Sequence, residues 1–320
     1  MNPNRKCIAI TGATGFIGRH LFGELSDRQD VDIRLLFHSN TIENLMKKEN
    51  IIVFEGDLLK PESLSGFLKP GCTVINLVNL RNASEKDNLA VMTNLAIACR
   101  SAQIKKLVHC STAVVVGAVS EDDITEETQC HPTPGYESIK YKIESLLVAL
   151  SANHFELAIL RPTAVFGKGG KNLLKMADDL IQGNRFINYL RSSLFNHRRM
   201  NLVFVLNVVS ALIFLADMNR KMNGDVFIIS DDDPMNNYRD VERLLMSHLG
   251  CRDYAIPRLP VPSPILRTLL KLEGKSNVNP NRIYHSRKML NAGFKKVASL
   301  ETGLVSFANW YKERQASAIG

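Results

Sequence analysis

The chain has 320 residues, of which 45% are hydrophobic and 22% charged. This composition excludes a disordered or collagen-like protein, and a chain of this length buries enough surface to fold without a disulfide or metal staple. The net charge of +8 comes from 40 Lys and Arg against 32 Asp and Glu. The basic residues are scattered and show no zinc-finger or basic-zipper spacing. The excess therefore suits a solvated surface or an anionic ligand such as a nucleotide diphosphate, and not nucleic acid.

The opening stretch, MNPNRKCIAITG, has no long apolar run and does not read as a secretory signal. Apolar runs follow at 7–11, 33–37, 51–54, 73–78, 106–111 and 157–160. They are continuous, not alternating, as strands buried on both faces of a parallel sheet must be. Amphipathic stretches such as 87–102 and 136–152 separate them. This rhythm predicts an α/β fold, a doubly wound parallel Rossmann sheet with right-handed crossovers. After Gly167 the rhythm breaks. A helix is predicted over 171–181, a strand over 202–206 running into a helix over 208–218, and a strand over 226–229. Helices are predicted over 238–249 and 265–272, with Pro257, Pro260, Pro262 and Pro264 marking the loop between them. An amphipathic segment, 300–314, ends the reading.

The predicted organisation is a dinucleotide-binding Rossmann domain over 1–170, with strand and helix returns near 201–230. A smaller, interleaved C-terminal substrate-binding cap takes 171–200 and 231–320. The apolar stretch 202–218 is broken by Asn207, Ser210 and Asp217 and is too short for a membrane span. The cysteines, Cys7, Cys72, Cys99, Cys110, Cys130 and Cys251, form no C-x-x-C pair. Free thiols in a reducing cytoplasm are expected, with no metal site at lone histidines such as His131 and His197.

Residues 10–18 read Ile-Thr-Gly-Ala-Thr-Gly-Phe-Ile-Gly. Gly12, Gly15 and Gly18 close the first strand and open a helix. The tight turn needs a residue tolerant of positive φ, the phosphate approach needs no side chain, and the helix must pack closely on its strand. The helix start then directs N–H groups at a pyrophosphate. Tyr136 and Lys140 lie four apart and share one face of a helix. A phenol is a weak base at neutral pH, and a neighbouring ammonium favours its phenolate form, so the pair suits proton exchange with a hydroxyl. Tyr-x-x-x-Lys also arises by chance among 7 tyrosines, and Tyr284 with Lys288 is a second example. Tyr284 lacks a Ser/Thr-ended strand upstream and serves as the contrast.

T-G-A-T-G-F-I-G, with Gly56-Asp57-Leu58, Asn88, Ser111-Thr112, Tyr136 to Lys140, Arg161-Pro162-Thr163 and the closing Gly303-Leu304 and Trp310-Tyr311, resembles the extended short-chain dehydrogenase/reductase family. That family includes the nucleotide-sugar epimerases, and the resemblance covers nearly the whole chain. It implies Thr112, Tyr136 and Lys140 as the catalytic set, with Ser111 the immediate alternative to Thr112. It implies cofactor contacts from Gly12, Thr14, Gly15, Phe16, Ile17 and Gly18, from Leu77 and Val78, from Tyr136 and Lys140, and from Pro162 and Thr163. Asp57 and Leu58 resemble the family's adenine contacts, although an isolated loop Asp equally serves as a cap.

The second strand ends in Leu36-Phe37-His38-Ser39-Asn40, without an acid to repel a 2′-phosphate. His38 and Ser39 therefore tilt the expected cofactor from NAD to NADP. Arg198 and Arg199 are the candidates for a substrate diphosphate, their alternative being a solvated charge pair. Sugar dehydratases of the family carry Asp-Glu after the catalytic Thr, whereas Ala113 and Val114 stand here. The expected protein is an NAD(P)-dependent epimerase or ketoreductase of a nucleotide-linked sugar, active as a homodimer through 87–102 and 136–152. A steroid- or flavonoid-type alcohol dehydrogenase, or a non-catalytic dinucleotide sensor, is the alternative.

Overall fold

The computed structural model describes residues 5–38, 48–80, 82–272 and 278–319. In chain order the elements are β1 (Lys6–Thr11), α1 (Phe16–Ser26), β2 (Val31–Phe37), β3 (Ile51–Glu55), β4 (Thr73–Asn76), α2 (Glu85–Ser101), β5 (Lys106–Cys110), β6 (Asp123–Ile124), α3 (Tyr136–Ser151) and β7 (Glu156–Pro162). Then come β8 (Ala164–Phe166), α4 (Leu174–Gln182), α5 (Arg185–Phe195), β9 (Leu202–Phe204), α6 (Val205–Asp217), β10 (Asn223–Ile229), α7 (Tyr238–Leu249), α8 (Ser263–Leu272), β11 (Ile283–Tyr284), α9 (Arg287–Asn291) and α10 (Leu300–Ile319).

Seven strands form one sheet in the order β10-β7-β5-β4-β1-β2-β3. The pairs β2–β3, β1–β2, β1–β4, β4–β5 and β5–β7 are all parallel. This is a doubly wound Rossmann sheet, and the winding reverses between β1 and β4. In such sheets the crevice at the reversal is where ligands bind. Val74, Leu107 and Leu157 of the sheet join Val91 and Leu95 of α2 and Ile143 and Leu147 of α3 in one buried cluster. Every residue of β2 is buried, Asp32 and Arg34 included. Arg34 is accommodated because its Nε donates to the Phe67 carbonyl at 2.7 Å and its guanidinium lies over the Phe54 ring.

Two compact units divide the chain. The first comprises Met1–Val115, Pro134–Arg161 and Val209–Phe227. The second comprises Val116–Thr133, Pro162–Val208 and Ile228–Gly320. Within the second, two small parallel ladders, β8–β9 and β6–β11, hold short strands together. The helix expected over 171–181 starts three residues later, because Leu173 is left-handed at φ 70° and ends the preceding turn. Helix α5 has no counterpart in the sequence reading.

Candidate active site

At the end of β1 the Thr11 hydroxyl donates to Asn76 Oδ1 at 2.7 Å, and the same oxygen accepts the Val78 N–H at 3.1 Å. Asn76 Nδ2 lies 3.0 Å from Nδ1 of His109, which is fully buried. Burial and the nearby Lys140 charge hold His109 well below the usual imidazole range, so the ring is neutral and accepts from Asn76. A polar row thus crosses β1, β4 and β5 at the reversal point and fixes the strand ends there. No pattern of spacing singled out Asn76 or His109.

Beyond Thr11, Gly12 adopts φ +76°, and a Cβ on it would stand 3.0 Å from the Leu77 carbonyl carbon. Gly18 is closer still: its Cβ would lie 2.2 Å from the Gly12 oxygen. These two glycines serve the turn and the packing of helix on strand. Gly15 differs. Its φ is −69°, and a Cβ would meet only the Gly12 oxygen, at 3.2 Å. Thr14 and Gly15 are exposed, Phe16 and Ile17 half-buried. Helix α1 starts there without a side-chain cap and without an acid in its first turn. A bare positive helix end behind an exposed glycine suits a phosphate.

The second cluster joins β5 to α3. Ser111 is buried, and its hydroxyl donates to the Glu144 carboxylate. Glu144 is itself buried and pairs with Arg161 at 2.6 Å. Thr112, next along, is half-exposed. Lys140 is buried and its Nζ donates to the Cys110 carbonyl at 3.2 Å, which ties α3 to the end of β5. Burial lowers the Lys140 pKa from the lysine range, opposed by Cys110 and Glu144. Burial also pushes the Cys110 thiol up to about 11, so it stays protonated. Tyr136, one turn before Lys140 on the same helix, is 51% exposed. By contrast Tyr284 ends a strand, β11, and Lys288 lies on α9, so the second Tyr-x-x-x-Lys is not a helical face.

At the end of β2, His38 is exposed and its Nε2 lies 3.4 Å from Asp57 Oδ2. Asp57 Oδ1 accepts the Leu59 N–H, so its carboxylate shapes a local turn as well. Leu58 is buried and Ser39 lies outside the described residues. Leu77 and Val78 follow β4 beside Gly12, and both are half-buried. Pro162 ends β7, and Thr163 bonds through its N–H to the Ile229 carbonyl. Arg198 lies over the Phe195 ring, while Arg199 donates to the Asp233 and Pro234 carbonyls.

Residues 8–230 match the model of the NAD dependent epimerase/dehydratase family. The chain belongs to that family. It is an enzyme of this class, with a nicotinamide dinucleotide as its cofactor. A UDP-glucose 4-epimerase of Vibrio cholerae is 25% identical over 288 residues, covering 85% of this chain and 84% of that protein. A ketoreductase of Stigmatella aurantiaca, acting on a farnesylated 3-oxo-dihydroquinoline oxide, is also 25% identical, over 76% of this chain and 73% of its own. The crystal structure of a dTDP-glucose 4,6-dehydratase from Bacillus anthracis with NAD superimposes with a TM-score of 0.74. It is 17% identical, covering 97% of this chain and 98% of its own, and shows a shared fold.

Proposed function

We propose that the protein is a cytoplasmic epimerase or ketoreductase of a nucleotide-linked sugar, with Thr112, Tyr136 and Lys140 as its proton-handling set. The observation that carries this reading is the gathering of the glycine-rich turn, Thr112 and the Tyr136–Lys140 face in one compact unit. The glycine turn follows β1, Thr112 lies just past β5, and Lys140 is tied to the end of β5 through the Cys110 carbonyl. The uncapped start of α1 and the open side of Gly15 fit a dinucleotide pyrophosphate. Gly12, Thr14, Gly15, Phe16, Ile17 and Gly18 would hold it, with Leu77, Val78, Pro162 and Thr163 nearby in sequence to the strand ends. When bound, the dinucleotide supplies a hydride acceptor or donor.

In this reading Tyr136 exchanges a proton with the sugar hydroxyl, and the Thr112 hydroxyl bonds the same oxygen. Lys140, fixed on the Cys110 carbonyl, sets the charge beside the phenol and reaches the cofactor ribose. Arg198 and Arg199 take the substrate diphosphate. His38 follows β2, where NAD-specific folds usually carry an acid, which supports NADP. Ala113 and Val114 after Thr112 provide no acid for eliminating water, which argues against dehydration. Helices α2 and α3 pack side by side and expose Ile97 and Val148, which supports a homodimer through them.

The Stigmatella relative favours a second reading, reduction of a lipophilic ketone. The test is incubation with NAD or NADPH and a panel of nucleotide sugars, following nicotinamide absorbance and the sugar by NMR. An epimerase converts the sugar with no net change in absorbance. A reductase consumes one NADPH per turnover. Conversion of no nucleotide sugar, with reduction of lipophilic ketones, would replace the first reading with the second.

A further inference from the structure

Helix α5 is inside out. Its polar Asn188, Ser192 and Ser193 are buried. Asn188 donates to the Asp179 carbonyl, and Ser192 to the Glu242 carboxylate, while Arg258 donates to Ser192 at 2.6 Å. The apolar Phe186, Ile187 and Leu190 face solvent, Phe186 with 67% of its surface exposed. A surface helix ordinarily turns its apolar stripe inward, and a contiguous outward patch marks a place where something sits.

The patch extends along the chain bound to α5. Arg185 donates to the Asp253 carbonyl at 2.7 Å and the Tyr189 hydroxyl to the Pro257 carbonyl at 3.0 Å. That segment exposes Ile256 and Leu259, the latter at 71%. A few residues on, α8 buries Leu266 and Leu270 and turns Ile265, Leu269 and Leu272 outward, Leu272 at 81%. Outward residues four and three apart form a single stripe.

Charge identifies the occupant. Stretches 185–195 and 252–272 together carry six Arg and Lys and a single acid, Asp253. The surrounding carboxylates are engaged: Asp179 pairs with Arg191, Glu242 and Asp253 with Arg258, and Asp122 with Arg267. Arg185, Arg252 and Lys271 are exposed and have no carboxylate partner among the described residues. A second copy would set like charge against like. An anionic bilayer neutralises the cations and takes up the apolar side chains at headgroup depth. Among the described residues no helix is long and apolar enough to cross a membrane.

We propose that α5 and the 252–259 segment bound to it seat on an anionic lipid bilayer without crossing it, and that the outward stripe of α8, a few residues further on, meets the same bilayer. The test is co-sedimentation of the full chain with vesicles of phosphatidylcholine alone and of equal parts phosphatidylcholine and phosphatidylglycerol. Binding is expected to the mixed vesicles only and to weaken with added salt. Phe186→Ser and Leu272→Ser should each weaken partition about tenfold. Arg252→Gln with Lys271→Gln should weaken it about tenfold or more. These side chains are exposed, so thermal melting should be unchanged. A chain that stays in the supernatant with mixed vesicles overturns the proposal. So does lipid-free self-association, by sedimentation velocity, that Phe186→Ser or Leu272→Ser abolishes; the face would then belong to a second copy.

Discussion

The Ser111 hydroxyl donates to Glu144, whose carboxylate is paired with Arg161 at 2.6 Å, all three residues being buried. Neighbouring Ser111 and Thr112 therefore have different duties. Ser111 completes a charged network, while half-exposed Thr112 has its hydroxyl free of that network. Ser111→Ala should cost about 1–3 kcal/mol of stability, since a buried carboxylate loses a donor. Thr112→Ala should leave stability nearly unchanged and lower turnover about 10²-fold, as loss of a positioned oxygen-binding donor does. Urea melts and steady-state rates on both variants separate the two roles. Equal loss of rate in the two would return Ser111 to the catalytic set.

Glycines 15 and 18 provide a second separation. Gly18→Val drives a side chain into the Gly12 oxygen and Ala13, so the fold itself should lose about 1–3 kcal/mol or more. Gly15→Val meets one backbone oxygen at 3.2 Å and little else in the chain. It should keep near-parental stability and lose cofactor affinity by about tenfold or more, because the branched side chain fills the pyrophosphate's approach. Calorimetric titration with NAD and NADP measures the loss, and parental affinity would mean that the turn does not bind the pyrophosphate.

His38 stands 3.4 Å from Asp57 at the end of β2. His38→Asp replaces a donor with a second carboxylate beside the first. Two charges about 4 Å apart in water interact by about 1 kcal/mol, so the NADP:NAD affinity ratio should fall about fivefold. An unchanged ratio would show that this turn does not read the 2′ position.

Asn207 is buried and uses both ends of its amide. Its Nδ2 donates to Asp231 at 3.1 Å and to the Ala298 carbonyl, while its Oδ1 accepts the Val297 and Ala298 N–H groups. Burial raises the Asp231 pKa, with Lys296 opposing. Asn207→Asp removes both donations and sets a second carboxylate against Asp231, at a cost of about 1–3 kcal/mol. A carboxyl whose pKa is higher in the folded chain binds more protons there than when unfolded. The variant's deficit should therefore be largest near neutrality and shrink as pH falls through the raised pKa. Chemical melts of parent and variant between neutral and mildly acidic pH measure this, and a deficit that grows on acidification would contradict it.

The parallel sheet was legible because strands buried on both faces read as continuous apolar runs, and the glycine turn because its three positions are close in sequence. What was illegible depends on partners far apart. Ser111 and Glu144 are separated by 33 residues, and Asn207 reaches Ala298 over 91. Which face of α5 packs inward was illegible, because Asn188, Ser192 and Ser193 are buried while Phe186, Ile187 and Leu190 are exposed. Arg199 was readable as a basic residue but not as one already donating to two carbonyls.

The two Tyr-x-x-x-Lys pairs allow the chemistry to be tested against an internal control. Tyr136 and Lys140 lie one helical turn apart on α3, the Lys buried and bound to the Cys110 carbonyl. Tyr284 is a buried strand residue, and Lys288 belongs to the following helix. Tyr136→Phe keeps the ring and removes the hydroxyl proposed to transfer the proton, so turnover should fall about 10²–10⁴-fold with cofactor affinity little changed. Lys140→Met should lower both on the proposed reading, which gives Lys140 the charge that favours the phenolate and a contact to the cofactor ribose. Tyr284→Phe should change neither, whatever it does to stability. Rates on the substrate found by the absorbance and NMR assays, with cofactor affinity by fluorescence titration, complete the comparison. Full turnover by Tyr136→Phe would remove Tyr136 from the mechanism, and a loss confined to Tyr284→Phe would move the proton-transfer site to the second unit.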